Sequence, residues 1–278
     1  MQNPTLPSLK DVIKGNELWA EKKFGQNFIT DLNITRKIAL QAPITSKSTV
    51  VEVGPGPGGL TRALLDLAPH KLIAIEFDKR CIDALTYLTN VFPNLEILHA
   101  DALKIQMKDL GSNLTVVANL PYNISTALLT TWLKTPTQFT NLVLMFQKEV
   151  AERLIASPRT KSYGRLSILT QWLMDVRLCF DLPPSVFTPA PKITSSVVRL
   201  TPKGITPTLD EFRAMEIVTA AAFGQRRKML RSSLKNTNVP VNELIAKAGI
   251  LETARAEELD VQEFIHLSQV YLELSRKP

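Results

Sequence analysis

Five short runs rich in β-branched and other apolar residues, at 49–53, 72–75, 95–98, 114–118 and 142–146, recur at intervals of twenty-odd residues through the first half of the chain. The gaps between them hold stretches with apolar residues at helical spacing, such as 60–67 and 82–88. Parallel strands need a crossover of roughly a dozen residues or more, and these gaps provide it. Repeated βαβ units lead to an α/β fold, a mainly parallel sheet with helices on both faces. Two later runs, 174–180 and 196–200, are joined through Asp181-Leu-Pro-Pro and a proline-rich loop, and read as closing strands of the same sheet. After Gly204 the period changes: Phe212, Met215, Val218 and Ala222, then Phe264, Leu267, Tyr271 and Leu274, recur every three or four residues. The expected division is an α/β domain over 1–203 and a small helical domain over 204–278, with 204–207 as linker.

A chain of 278 residues that is 45% apolar and 21% charged is globular and not disordered. No run approaches the roughly 18 apolar residues of a membrane helix. Lys10, Asp11, Lys14 and Glu17 stand where a signal core would be, and the first arginine is Arg36, against a transit peptide. Cys81 and Cys179 form no C-x-x-C pair, and His70, His99 and His266 lack metal-ligand spacing. A cytoplasmic protein without membrane or metal is expected.

The net charge of +7 is unevenly placed. Residues 1–37 carry 6 basic and 4 acidic groups, 38–147 carry 8 and 8, 148–203 carry 9 and 4, and 204–278 carry 10 and 10. Within the balanced last piece, Arg226, Arg227, Lys228, Arg231 and Lys235 form a cluster that no acid interrupts. Such surfaces fit a polyanionic partner; solvated faces are the alternative.

The first strand runs into Glu52-Val-Gly-Pro-Gly-Pro-Gly-Gly59, a glycine loop opening a helix. Gly54-x-Gly56-x-x-Gly59 fits a nucleotide-binding turn, and the loop alone leaves a nicotinamide or another adenosine cofactor open. Ligands of an open parallel sheet gather at the carboxyl ends of the strands. There Glu76 suits two ribose hydroxyls, Asp101 suits an adenine amine, and Asn119-Leu120-Pro121-Tyr122 follows the fourth run. Each is singly compatible with a cap or turn. No tyrosine has a lysine four residues on, which argues against a short-chain oxidoreductase.

Glu52 to Gly58, Glu76, Asp101 and Asn119-Leu-Pro-Tyr122 resemble S-adenosylmethionine-dependent adenine N6-methyltransferases. Lys23-Phe-Gly-Gln-Asn-Phe-Ile29, Phe146-Gln-Lys-Glu-Val-Ala-Glu-Arg153, Tyr163-Gly-Arg-Leu-Ser167, Val186-Phe-Thr-Pro-Ala-Pro-Lys192 and Phe223-Gly-Gln-Arg-Arg-Lys228 are similar to the bacterial small-subunit ribosomal RNA adenine dimethyltransferases. The likeness extends over nearly the whole chain; Ile29, where the family usually has Leu, is a conservative departure. It implies a Rossmann-like methyltransferase sheet. It also implies S-adenosylmethionine held by Asn27, Ile29, Gly54, Gly56, Glu76, Asp101 and Asn119, with the N-terminal segment folded over it as a lid through Asn27 and Ile29.

Catalysis is implied at Asn119, Leu120, Pro121 and Tyr122, with Phe187 as a second stacking aromatic. The implied activity is N6,N6-dimethylation of two adjacent adenosines near the 3′ end of 16S RNA, in the small (30S) subunit or its precursor, by a monomer. Lys148, Arg153, Arg159, Lys161 and Arg165 are expected to flank the RNA mouth. Arg226, Arg227, Lys228 and Arg231 are expected at helical spacing against phosphates, with Met229 and Leu230 turned inward. Trp19, Trp132 and Trp172 read as packing residues. The large-subunit enzymes of antibiotic resistance and a non-catalytic assembly factor remain alternatives; Phe223 to Lys228 and an intact Asn119 to Tyr122 favour the first reading.

Overall fold

The computed structural model describes residues 6–18 and 27–276, so Trp19 and residues 23–26 lie outside it. Its strands are β1 (Phe28–Ile29), β2 (Thr49–Val53), β3 (Lys71–Glu76), β4 (Leu95–His99), β5 (Leu114–Asn119), β6 (Phe139–Gln147), β7 (Met174–Leu182), β8 (Phe187–Thr188) and β9 (Ser195–Pro202). Seven form one sheet in the order β4-β3-β2-β5-β6-β9-β7. The pairs from β4 through β6 are parallel, and β9 closes antiparallel on β6. All seven expected runs are strands of this sheet, and helices Gly59–Leu65 and Lys79–Val91 fill the first two gaps. Strands β2, β3 and β5 are buried almost throughout, as strands covered on both faces must be, whereas edge strands β4 and β7 carry exposed positions.

The chain lays down β2, β3 and β4 toward one edge and then returns to β5 on the other side of β2. The switch point therefore lies between the ends of β2 and β5, where a crevice is left for a ligand. A two-residue antiparallel ladder, Phe28 with Thr188 and Ile29 with Phe187, forms a separate small sheet. Two residues are too few to show a period in sequence.

The chain divides into two compact units, one of Met1–Leu129, Thr137–Lys148 and Arg177–Thr201, the other of Thr130–Pro136, Glu149–Val176 and Pro202–Pro278. A single cut after residue 203 does not describe this division. The segment 149–176 joins the C-terminal helices because its apolar face packs there: Trp172 stacks on Phe212 with ring centroids 6.0 Å apart, and Tyr163 meets Phe223 edge-on. Phe223 in turn stacks on Phe264 at 5.7 Å. Helices Leu209–Gly224 and Val261–Ser275 both begin with capping boxes, Thr208 with Glu211 and Asp260 with Glu263. Trp132 and Trp172 are buried, as packing residues should be. No described helix is long and apolar enough to cross a membrane.

Phe212, 1% exposed, anchors the second unit. Phe212→Ala is expected to cost about 3–5 kcal/mol of unfolding free energy, read as a lower urea midpoint at unchanged slope.

Candidate active site

One cavity of about 300 Å³ opens at the carboxyl ends of β2, β3 and β5. Asn27, Ile29, Gly54, Gly56, Glu76, Asp101 and Asn119 all line it, and so do Leu120, Pro121 and Tyr122. Every residue expected at the cofactor, and the whole Asn-Leu-Pro-Tyr run, thus meets in one place.

The glycine loop has two reasons for its composition. Gly54, Gly56 and Gly58 have positive φ of 71°, 55° and 89°, a region that side chains disfavour. The second reason is the N-terminal segment. A Cβ at Gly56 would stand 3.0 Å from the Phe28 ring, and one at Gly59 would stand 2.7 Å from the Ile29 carbonyl oxygen. The glycines therefore admit β1 as a close neighbour, in addition to leaving room for a ligand.

Glu76 is the hub of the cavity wall. Its Oε2 accepts from the Gly56 amide at 3.1 Å, and its Oε1 accepts from the Phe77 and Asp78 amides, each at 2.8 Å. Burial raises its pKa, and these three bonds pull the other way. Asp101 Oδ1 caps the turn Ala102–Lys104 by accepting from the Leu103 amide at 3.0 Å, so the cap and the cavity wall are the same residue. Phe77 and Leu103, 59% and 44% exposed, are large apolar side chains on the cavity rim that sequence reasoning passed over. Their signal was position, since each follows closely on an acidic residue at a strand end.

Glu52 is a further member. It is 1% exposed, lines the cavity, and has an Oε2 without a hydrogen bond, as has the adjacent Thr61 hydroxyl. Burial, with Glu76 nearby, pushes its carboxyl up to about 8, and Thr61 lies near enough only to oppose this. Glu52 is therefore a neutral acid at neutral pH.

Asn119 is oriented by its surroundings. Its amide nitrogen donates to the Asn27 carbonyl at 3.0 Å, which leaves the amide oxygen as an acceptor. The Tyr122 ring is tethered at its far end, where its hydroxyl meets the buried Ser195 hydroxyl at 2.6 Å. Phe187 does not join them. It is 4% exposed, pairs with Ile29 across the two-residue ladder and packs in the apolar core with Leu182 and Val197, so the expected second stacking aromatic is a core residue.

The basic residues sort by their partners. Arg153 pairs with Glu149, Arg165 with Glu216 at 3.5 Å, Arg231 with Glu252 at 4.0 Å and Lys148 with Asp181 at 2.7 Å. The expected helical register of 226–231 does not form. The helix Leu209–Gly224 ends first, and Arg226 to Lys228 lie in a turn before the short helix Leu230–Ser233. Leu230 is buried and Met229 half-buried, as expected. Among the described residues, no group of three His, Cys, Asp or Glu side chains is placed to hold a metal ion.

The neutral Glu52 has a consequence for stability. An acid whose pKa is higher folded than unfolded binds its proton more tightly when folded, so stability falls as pH rises from 4.5 through about 8. This one group contributes up to about 1.4 kcal/mol per pH unit inside that window. Glu52→Gln should flatten the decline, leaving only the same-signed contribution of Glu76; urea midpoints at pH 5, 6 and 7 measure it.

The chain matches the family model described as ribosomal RNA adenine dimethylase over residues 18–273. It is 52% identical to the ribosomal RNA small subunit methyltransferase A of Xanthobacter autotrophicus over 275 residues, covering 97% of this chain and 95% of that protein. It is 50% identical to the protein of the same name in Paramagnetospirillum magneticum, over 95% of this chain and 94% of the other. Among solved structures, a dimethyladenosine transferase from Plasmodium falciparum superposes with a TM-score of 0.75 at 29% identity, over 85% of this chain and 94% of that one. The 23S rRNA methyltransferase ErmE shares the fold, with a TM-score of 0.67 at 24% identity over 90% of this chain and 100% of its own. The cavity, its acidic strand ends and this agreement along the chain have one reading: the protein belongs to the ribosomal RNA adenine dimethylase family.

Proposed function

We propose that this chain uses S-adenosylmethionine to dimethylate N6 of two adjacent adenosines near the 3′ end of 16S RNA, as a cytoplasmic monomer acting on the 30S subunit or its precursor. The observation that carries the reading is Asn119. It sits at the end of β5 beside the glycine loop, with its amide nitrogen engaged and its oxygen left to accept.

The cavity fits the cofactor. Glu76 offers carboxylate lone pairs to the two ribose hydroxyls, Phe77 and Leu103 offer apolar faces to a purine, and Asp101 keeps a second oxygen for the purine amine. Asn27 and Ile29 cover it from the N-terminal segment. When bound, S-adenosylmethionine supplies an electrophilic methyl on a sulfonium.

The chain's own task is to make an amine nucleophilic. The lone pair of adenine N6 is delocalised into the ring. Asn119 Oδ1 and the Leu120 carbonyl accept its two hydrogens, which draws the lone pair out of conjugation and aims it in line with the methyl. Pro121 follows with no N–H to compete for those acceptors. With S-adenosylmethionine bound, its S–C bond would break as the C–N bond formed and the proton of the methylated amine would pass to water, so the chain need supply no general base before transfer. Tyr122, held through Ser195, stacks on a target base turned out of its helix. Identity to the small-subunit enzymes far above that to ErmE favours a small-subunit target over a large-subunit one.

Asn119→Ala is expected to bind S-adenosylmethionine and RNA while transfer falls by about 10²-fold or more; single-turnover methylation of unmethylated small subunits measures it. A near-parental rate would remove Asn119 from the chemistry. Glu76→Gln should weaken cofactor binding by about 1–3 kcal/mol by calorimetry, since the charge is lost and the NH₂ that replaces one oxygen cannot accept, which leaves either the Gly56 amide or the Phe77 and Asp78 amides without their acceptor.

A further inference from the structure

Arg226 belongs by sequence to the basic cluster, yet each nitrogen of its guanidinium is hydrogen-bonded inside the second unit. Its Nε donates to Glu257 at 2.8 Å, one terminal nitrogen to the Lys161 carbonyl at 2.6 Å and the other to the Thr160 carbonyl at 2.9 Å. The same region is tied a second time, since the Arg159 amide donates to the Glu257 carbonyl at 2.7 Å. Arg159 holds a φ of 67°, a left-handed conformation that a non-glycine residue keeps only where its surroundings fix it. A planar fork with three directed donors suits this task, which a lysine point charge does not.

Two segments meet at this fork, the loop 157–163 and the turn 225–228. Each presents two exposed cations, Arg159 and Lys161 on the loop, Arg227 and Lys228 on the turn. Their side chains make no hydrogen bond, ion pair or ring contact among the described residues. Arg153, Arg165 and Arg231, by contrast, all have carboxylate partners. The nearby acids are also engaged: Glu257 with Arg226, Glu258 with the Arg255 amide, and Glu252 with Arg231.

We propose that Arg159, Lys161, Arg227 and Lys228 form one phosphate-binding surface for RNA, and that Arg226 is its positioning residue, holding the two cationic segments together and making no phosphate contact of its own. Four unpaired cations on fixed backbone match a polyanion whose charges are regularly spaced, because each phosphate neutralised releases bound counterions without a native ion pair first being broken. This rests on the proposed action on ribosomal RNA.

The test uses the full-length protein and unmethylated small subunits, with affinity measured between about 50 and 200 mM salt, the range in which such contacts register. Arg159→Ala with Lys161→Ala, and separately Arg227→Ala with Lys228→Ala, should each make the salt dependence shallower by up to about two phosphate contacts. Arg226→Lys keeps the charge and loses the fork. It should weaken binding about as much as the loop double variant, flatten the salt dependence similarly, and raise hydrogen exchange at the Arg159 amide several-fold, while S-adenosylmethionine binding stays parental in every variant. Parental affinity and salt slope in Arg226→Lys would overturn the positioning role, because a point charge would then suffice. Parental binding by the loop double variant would remove the loop from the surface. If the parent protein neither binds nor methylates small subunits, the functional reading itself fails; if the parent binds and all three variants match it, only the surface is wrong.

Discussion

The three amide bonds converging on the Glu76 carboxylate are the interaction on which the site depends. They join the end of β3 to the glycine loop after β2 and fix the first residues of the following turn. A buried carboxylate costs free energy unless hydrogen-bonded, and these bonds offset much but not all of that cost, since its pKa still lies above the ordinary value. Further donors from a ligand lower the cost again. A wall assembled in this way is held by its own backbone bonds, and three accepted bonds leave the carboxylate with acceptor capacity to spare.

The sheet was legible in the residues because a parallel strand covered on both faces is mainly apolar along its length: 72–75 is wholly so, and 49–53 and 114–118 depart from it only at Thr49, Glu52 and Thr115. Glu76, Asp101 and Asn119 were legible because they end or closely follow such runs. Asn27 and Ile29 were not, since their place in the cavity comes from a two-residue ladder with β8 far along the chain, and only the family resemblance pointed to them. Phe187 misled for the same reason: paired with Ile29, its ring is carried into the core.

The basic residues taught a different limit. Composition marks where positive charge accumulates, but each cation's availability is decided by the carboxylates and carbonyls that folding places beside it. Arg226 and Arg227 are neighbours in sequence, and only Arg227 is left with an unpartnered side chain. A division near residue 203 is part of the observed one but does not complete it, for a related reason: the stretch 149–176 that lies between strands in sequence buries Trp172 and Tyr163 against helices that come much later.

The N-terminal segment ties these elements to the chemistry. Phe28 and Ile29 lie against Gly56 and Gly59, and the Asn27 carbonyl, one residue earlier, holds the Asn119 amide. An unrestrained asparagine amide would offer its NH₂ or its oxygen to the cavity, and only the oxygen can accept from an amine. Placing that segment across the glycine loop therefore does two things at once: it lines the cavity and it selects the orientation of Asn119 in which the amide oxygen is left to accept, as the proposed transfer requires. The absence of side chains at Gly56 and Gly59 is thereby linked to the nucleophile's geometry through Phe28, Ile29 and Asn27, although none of these three residues contributes a group to the proposed transfer.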